Sequence, residues 1–180
     1  MGLLGLFARK PHERVGFQLY GAAVAAARRP VLFDGIGVPD TLDGRFDLIC
    51  LHASLLVRRL RRDADSRGPA IAQALFDAMF ADMDINLREM GVSDLAVGKR
   101  VKRMWEAFHG RASAYETALD AADAAALAEA LSRNVWRGDA PAGGAERLAA
   151  LALAAEAALS AQPFAALAAG TAVFPDEAPA

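Results

Sequence analysis

One cysteine, Cys50, is all the sequence contains, so no disulfide can form within the chain. Its place in the apolar run Leu48 to Leu51 points to a buried thiol in a reducing compartment, the cytoplasm or an equivalent matrix. β-branched residues are scarce outside a few valines, and the 54% hydrophobic content rests heavily on alanine, which favours helix and argues against a sheet. Long hydrophobic runs are missing too. Nothing approaches the roughly 20 apolar residues of a spanning helix, and the greasiest stretch, Leu48 to Val57, is interrupted by His52 and Ser54 and reads as a buried core helix. The opening MGLLGLFARK places its apolar stretch before its charges, the reverse of a secretory signal, so no export signal is expected. Leu6 stands where a myristoylation motif requires Ser or Thr.

Catalytic and metal-binding patterns are equally thin. The three histidines, His12, His52 and His109, fall on different predicted elements, and no pair has the spacing that metal sites use. His52, among leucines, reads as a hydrogen-bonded interior histidine, and His109 as a residue near a helix surface. The segment GIGVPD has half of a dinucleotide-binding fingerprint but follows a helix and lacks a third glycine. There is no phosphate-binding loop, no nucleophile elbow, and no sequence partner that would activate Cys50. Asp77, Asp82, Asp84 and Glu89 point around one helix, with only Asp77 and Asp84 sharing a face, as a solvated acidic surface would. No catalytic residue, metal or cofactor is therefore expected.

What is present is helical periodicity. Prolines and glycines punctuate the chain into helices predicted at about 12–28, 44–62, 69–90, 93–119, 123–136 and 145–160. In the third, Phe76, Phe80, Met83, Leu87 and Met90 recur at steps of three and four, and Ile71, Leu75 and Met79 widen the apolar face beyond what one neighbour requires. In the fourth, after a predicted cap at Ser93, the apolar stripe runs through Val97, Val101, Met104, Phe108, Ala112, Tyr115 and Leu119. The stretch RPVLFDGIGVPDT reads as a turn-rich connector, and the chain after Gln162 as a loosely docked end. The pattern predicts an all-α fold: a compact single-domain bundle of five to seven helices over 12–170, with flexible segments at 1–11 and 171–180.

Charge is unevenly spread, with eleven Lys+Arg against seven Asp+Glu through residue 69 but one against five from 139 onward. A pI near 5.9 argues against a dedicated nucleic-acid binder, and no DNA partner is expected. The sharpest polar feature is Lys99, Arg100, Lys102 and Arg103, which fan over one side of a helix whose other side is apolar and can grip phosphate, lipid headgroups or an acidic protein patch.

Together the stretches LYGAAVAAARRPVLF, GVPDTLDGRFDLICLH, AQALFDAMFADMDINLREMGVSDLAVGKRVKRM and AFHGRASAYETAL, with LSRNVW near Asn134, resemble the ubiquinol-cytochrome c chaperone family over roughly residues 17–136. His109 departs from the resemblance, standing where an aromatic residue is expected before Gly110 and Arg111. The resemblance implies a helical, non-enzymatic assembly factor that binds cytochrome b and promotes assembly of respiratory complex III. It would work from the cytoplasm, peripherally at the cytoplasmic face of the inner membrane, with a ribosome or a second small assembly factor as further partners. The client surface is expected around Phe80, Met83, Asp84, Gly91, Asp94, Lys99, Arg100 and Arg103, where the family-like stretches are densest. Phe80 and Met83 would supply apolar contact inside a charged rim. Two other readings of the residues stay open: a ribosome- or nucleic-acid-binding module using the Lys99 to Arg103 stripe, and a quinone or small-molecule site lined by His52 and Tyr20.

Overall fold

A computed structural model describes residues 12–176. The predicted flexible segment 1–11 lies outside the described residues, as do residues 177–180. The described chain forms seven α-helices and one π-helical turn, and no strand occurs among them. The all-α bundle expected from the periodicity is the fold.

Helix α1 (Glu13–Ala27) ends just before Pro30, whose ring cannot continue an α-helix, and the π turn Val31–Gly35 follows at once. Helix α2 (Leu42–Arg61) starts two residues earlier than predicted, because the Thr41 hydroxyl accepts a hydrogen bond from the Gly44 amide at 3.1 Å. It closes with Arg58, Arg59 and Arg61 at the negative end of its dipole. Helix α3 (Gly68–Glu89) takes Pro69 in its first turn, and α4 (Asp94–Asp120) runs back from the Gly91 turn. Asp123 caps α5 (Ala124–Val135), accepting from the Ala126 amide at 2.9 Å, before α6 (Gly144–Ala161) and the short α7 (Phe164–Ala168).

The core centres on α2, whose residues Leu48 to Leu56 are buried without a break. Helices α1 and α3 cover one flank with Leu19, Ile71, Leu75 and Met79, while α5 and α6 bring Leu127, Leu131, Leu148 and Leu159 to the other. Gly16 lets α1 approach α3 closely, since a Cβ there would overlap the backbone carbonyl of Ala74. The wide apolar face of α3 is explained by three neighbours, α1, α2 and α4, which share it.

Two stretches differ from the sequence reading. The connector after Pro30 is a regular element, not a plain turn. Leu32, Ile36 and Val38 are buried, the Ile36 amide donates to the Val31 carbonyl at 2.9 Å, and the Trp136 indole donates to the Gly37 carbonyl at 2.9 Å. Burial of three apolar side chains outweighs the turn propensity of its glycines. The end of the chain is also held: Leu167 and Phe174 are buried, and Gln162 brackets Val173 through both its amide nitrogen and its carbonyl oxygen. Arg29 donates to the carbonyls of Phe174 and Pro175. Packing therefore continues past Gly170, as far as Phe174.

Candidate functional site

Helices α3 and α4 form a hairpin whose end stands clear of the rest of the bundle. At its turn Gly91, with φ of 80°, occupies the left-handed position that closes α3, and the Val92 amide donates to the Leu87 carbonyl at 3.0 Å. In the first three turns of α4 only Val97 is fully buried, and it lies outside the main core; Met104 packs against that core, and from Phe108 onward α4 residues are part of it. Sharing the α3 face with α1 and α2 leaves the first half of α4 lightly packed, while its second half, from Phe108 to Leu119, is seated in the core.

The residues that prop it are aromatic. Phe76 and Phe80 of α3 lie 4.7 Å apart between ring centres, and Phe108 of α4 meets them at 5.4 and 6.3 Å. His109 stacks on Trp105 at 4.0 Å and faces Phe76 edge-on at 5.3 Å. Beside this cluster, α2, α3 and α4 enclose a groove of about 670 Å³, lined by Phe76, Trp105, Phe108, His109, Ala112 and Leu119 with Arg58, Arg61 and Glu116 at its polar edge. The His109 Nδ1–H donates to the Trp105 carbonyl at 2.9 Å. The geometry suits an apolar segment with aromatic or aliphatic anchors, because offset rings and a tryptophan face offer area with little side-chain entropy to lose.

The polar edge is ordered. Arg58 reaches Glu116 at 3.5 Å, Asp120 at 2.6 Å and Glu156 at 2.7 Å, tying α2 to both α4 and α6. Arg61, one turn on, is exposed and makes no ion pair among the described residues. Nearer the start of α2, buried Asp47 pairs with Arg111 of α4 at 2.5 Å and Arg137 at 3.0 Å. Burial pushes the Asp47 carboxyl upward, and the two guanidiniums only partly offset it. This joint sets where α4 sits. The Tyr115 hydroxyl, also buried, has its pKa raised by the same desolvation.

The residues singled out in the sequence fall into three groups. Phe80 is half-buried in the aromatic cluster and Met83 is buried at the edge of the core. Asp84 and Asp94 are drawn together by Arg88, which bonds both, across the turn that Gly91 makes. Lys99, Arg100 and Arg103 are exposed and form no ion pair among the described residues. At about 100° per residue, these three cations lie roughly 120–160° around α4 from Trp105, so cations and groove flank opposite sides of one helix. The sequence reading missed the groove itself. Its signal was the i, i+4 pair Trp105 and His109 beside the apolar stripe of the same helix.

His52 and Tyr20 do not share a site. His52 donates to the Leu48 carbonyl at 2.8 Å inside α2, whereas Tyr20 of α1 donates to Asp82 of α3 at 2.6 Å. Among the described residues no group of three or more His, Cys, Asp or Glu could hold a metal ion, and no helix is long and apolar enough to cross a membrane.

With this geometry the comparisons agree. The pattern of the ubiquinol-cytochrome C chaperone family matches residues 34–174. The crystal structure of the Cbp3 homolog from Brucella abortus is similar, with 38% sequence identity and a TM-score of 0.81 over 92% of this chain and 91% of that one. Among curated proteins none matches.

Proposed function

The chain belongs to the ubiquinol-cytochrome c chaperone family, and from that premise we propose that it holds newly made cytochrome b for assembly of the ubiquinol-cytochrome c reductase, by binding and not by catalysis. One observation carries the site assignment: a groove edged by Trp105, Phe76 and His109 that the protein's own core leaves unfilled. A membrane-protein segment outside its bilayer needs an apolar surface with a polar border. The aromatic wall of the groove supplies the first, and Gln73, Ser113, Arg61 and Glu116 along the rest of its lining the second. Phe80 backs the aromatic wall, while Asp84, Asp94, Lys99, Arg100 and Arg103 surround the neighbouring turn and steer a charged client loop. Gly91 keeps that turn tight. Such a protein works at the cytoplasmic face of the inner membrane, where its client emerges.

Substitution tests this directly. In detergent extracts, Trp105→Ala and the triple K99A/R100A/R103A should each lower recovery of cytochrome b several-fold, and both should lower the yield of assembled reductase. Helicity should be almost unchanged in both; melting should hold in the triple variant, whose three side chains are exposed, and fall slightly in Trp105→Ala, which loses the ring contact with His109. Recovery equal to the parent in both variants would show that neither the groove nor the cations touch the client.

A further inference from the structure

The hairpin end carries a second kind of surface. Of eight exposed large hydrophobic residues among those described, four lie between 85 and 105: Ile85, Met90, Leu95 and Trp105. Leu95 is 91% exposed, Met90 55% and Ile85 53%, far more than packing or chance scatter requires of three neighbours at one tip. The groove ends at Trp105 and includes none of these three. Behind them along α4 come Lys99, Arg100 and Arg103, without acidic partners, and Lys102, held loosely by Glu106 at 3.8 Å.

We infer that the α3–α4 hairpin tip seats in an anionic bilayer surface, with Met90 and Leu95 entering the apolar boundary and Lys99, Arg100 and Arg103 meeting lipid phosphates. The spacing fits. At 1.5 Å per residue Lys99 lies roughly 6 Å and Arg103 roughly 12 Å behind Leu95 along the helix, and interfacial elements bury their apolar side roughly 5–10 Å. The cations then stand at headgroup depth, where long basic side chains extend toward phosphate. By helical geometry Leu95, Lys99 and Arg103 share the outward side of α4. Of the nearby acids, Arg88 holds both Asp84 and Asp94, and Glu89, the last residue of α3, is exposed. Seated this way, the hairpin brings the mouth of the aromatic groove to roughly 15 Å from the tip, just above the surface.

The inference goes beyond the chaperone reading and stands or falls without it. Flotation of the purified full chain with phosphatidylcholine vesicles, with and without phosphatidylglycerol, tests it in the absence of any client. The parent should float with phosphatidylglycerol vesicles and roughly tenfold less with phosphatidylcholine alone. M90S/L95S should lose roughly tenfold on the anionic vesicles, and K99A/R100A/R103A should bind both vesicle types equally weakly. A parent that fails to float overturns the proposal. So does an M90S/L95S variant that floats like the parent, a result that would assign the contact to the apolar N-terminal stretch instead. Cytochrome b recovery from detergent extract, where no bilayer exists, reports on the client reading separately.

Discussion

His52 is buried against Phe174, with ring centres 5.2 Å apart, and its Nδ1–H is spent on the Leu48 carbonyl. Burial, the larger effect, lowers its pKa from 6.5 to about 4. The folded state therefore holds the neutral ring while the unfolded chain takes up a proton below about pH 6.5. The stability this neutral ring permits is fully present above pH 6.5 and is lost as pH falls toward 4, by on the order of 3 kcal/mol. Urea denaturation at pH 7 and pH 4.5 should show His52→Leu losing less stability than the parent between those values. Parallel losses would mean that His52 does not titrate on unfolding. Asp47 tests a different kind of burial. Replacing it with Asn leaves Arg111 without its anion inside the protein, an expected cost of about 3 kcal/mol in chemical denaturation. Arg137→Gln should cost about 1 kcal/mol or less, because that side chain is half exposed. The interior character of His52 was readable from its leucine neighbours. The Asp47 pairing was not, since its partners lie 64 and 90 positions away and nothing in local spacing connects them.

Among the elements, long helices with strong periodicity were legible and their junctions were not. Helices α3 and α4 follow their apolar steps to within a residue of the predicted ends, because Pro69 and Gly91 agree with the pattern; Ser93 stands at the N-cap position of α4, but its side chain makes no capping hydrogen bond. The π turn was hidden because Gly35, Gly37 and Pro39 signal a loop while Leu32, Ile36 and Val38 are drawn into the core. The breadth of the α3 face suggested a surface for a client, yet most of it is shared among three neighbouring helices. The true surplus is displaced to the far end of α3 and onto the Trp105 side of α4. Close approach was equally invisible in sequence: Gly16 reads as an ordinary helix glycine until α3 is placed against it. Gly16→Ala should improve helix propensity slightly and still destabilise the protein by about 1–3 kcal/mol, measured by urea unfolding, because the methyl group must push α1 off α3. Gly21→Ala, where a Cβ meets nothing within 4 Å, serves as the matched control and should be neutral or stabilising.

At the scale of the whole molecule, one compact half anchors another that reaches out. The core is alanine- and leucine-filled and takes in most of α3 and the second half of α4, while the far end of the α3–α4 hairpin carries exposed apolar residues and unpaired cations. That division suits a protein that must offer apolar surface without unfolding: the groove is fixed by the Asp47 joint and the Arg58 network rather than by whatever fills it. The central claim is that the occupant is newly made cytochrome b. The most direct measurement is pulse–chase labelling of translation products in cells carrying the affinity-tagged parent chain, followed by its capture from detergent-solubilised membranes. Labelled cytochrome b should accompany the parent during the pulse and leave it during the chase, as reductase assembles. Capture that contains no labelled cytochrome b at any time, from cells that do assemble the reductase, would contradict the account.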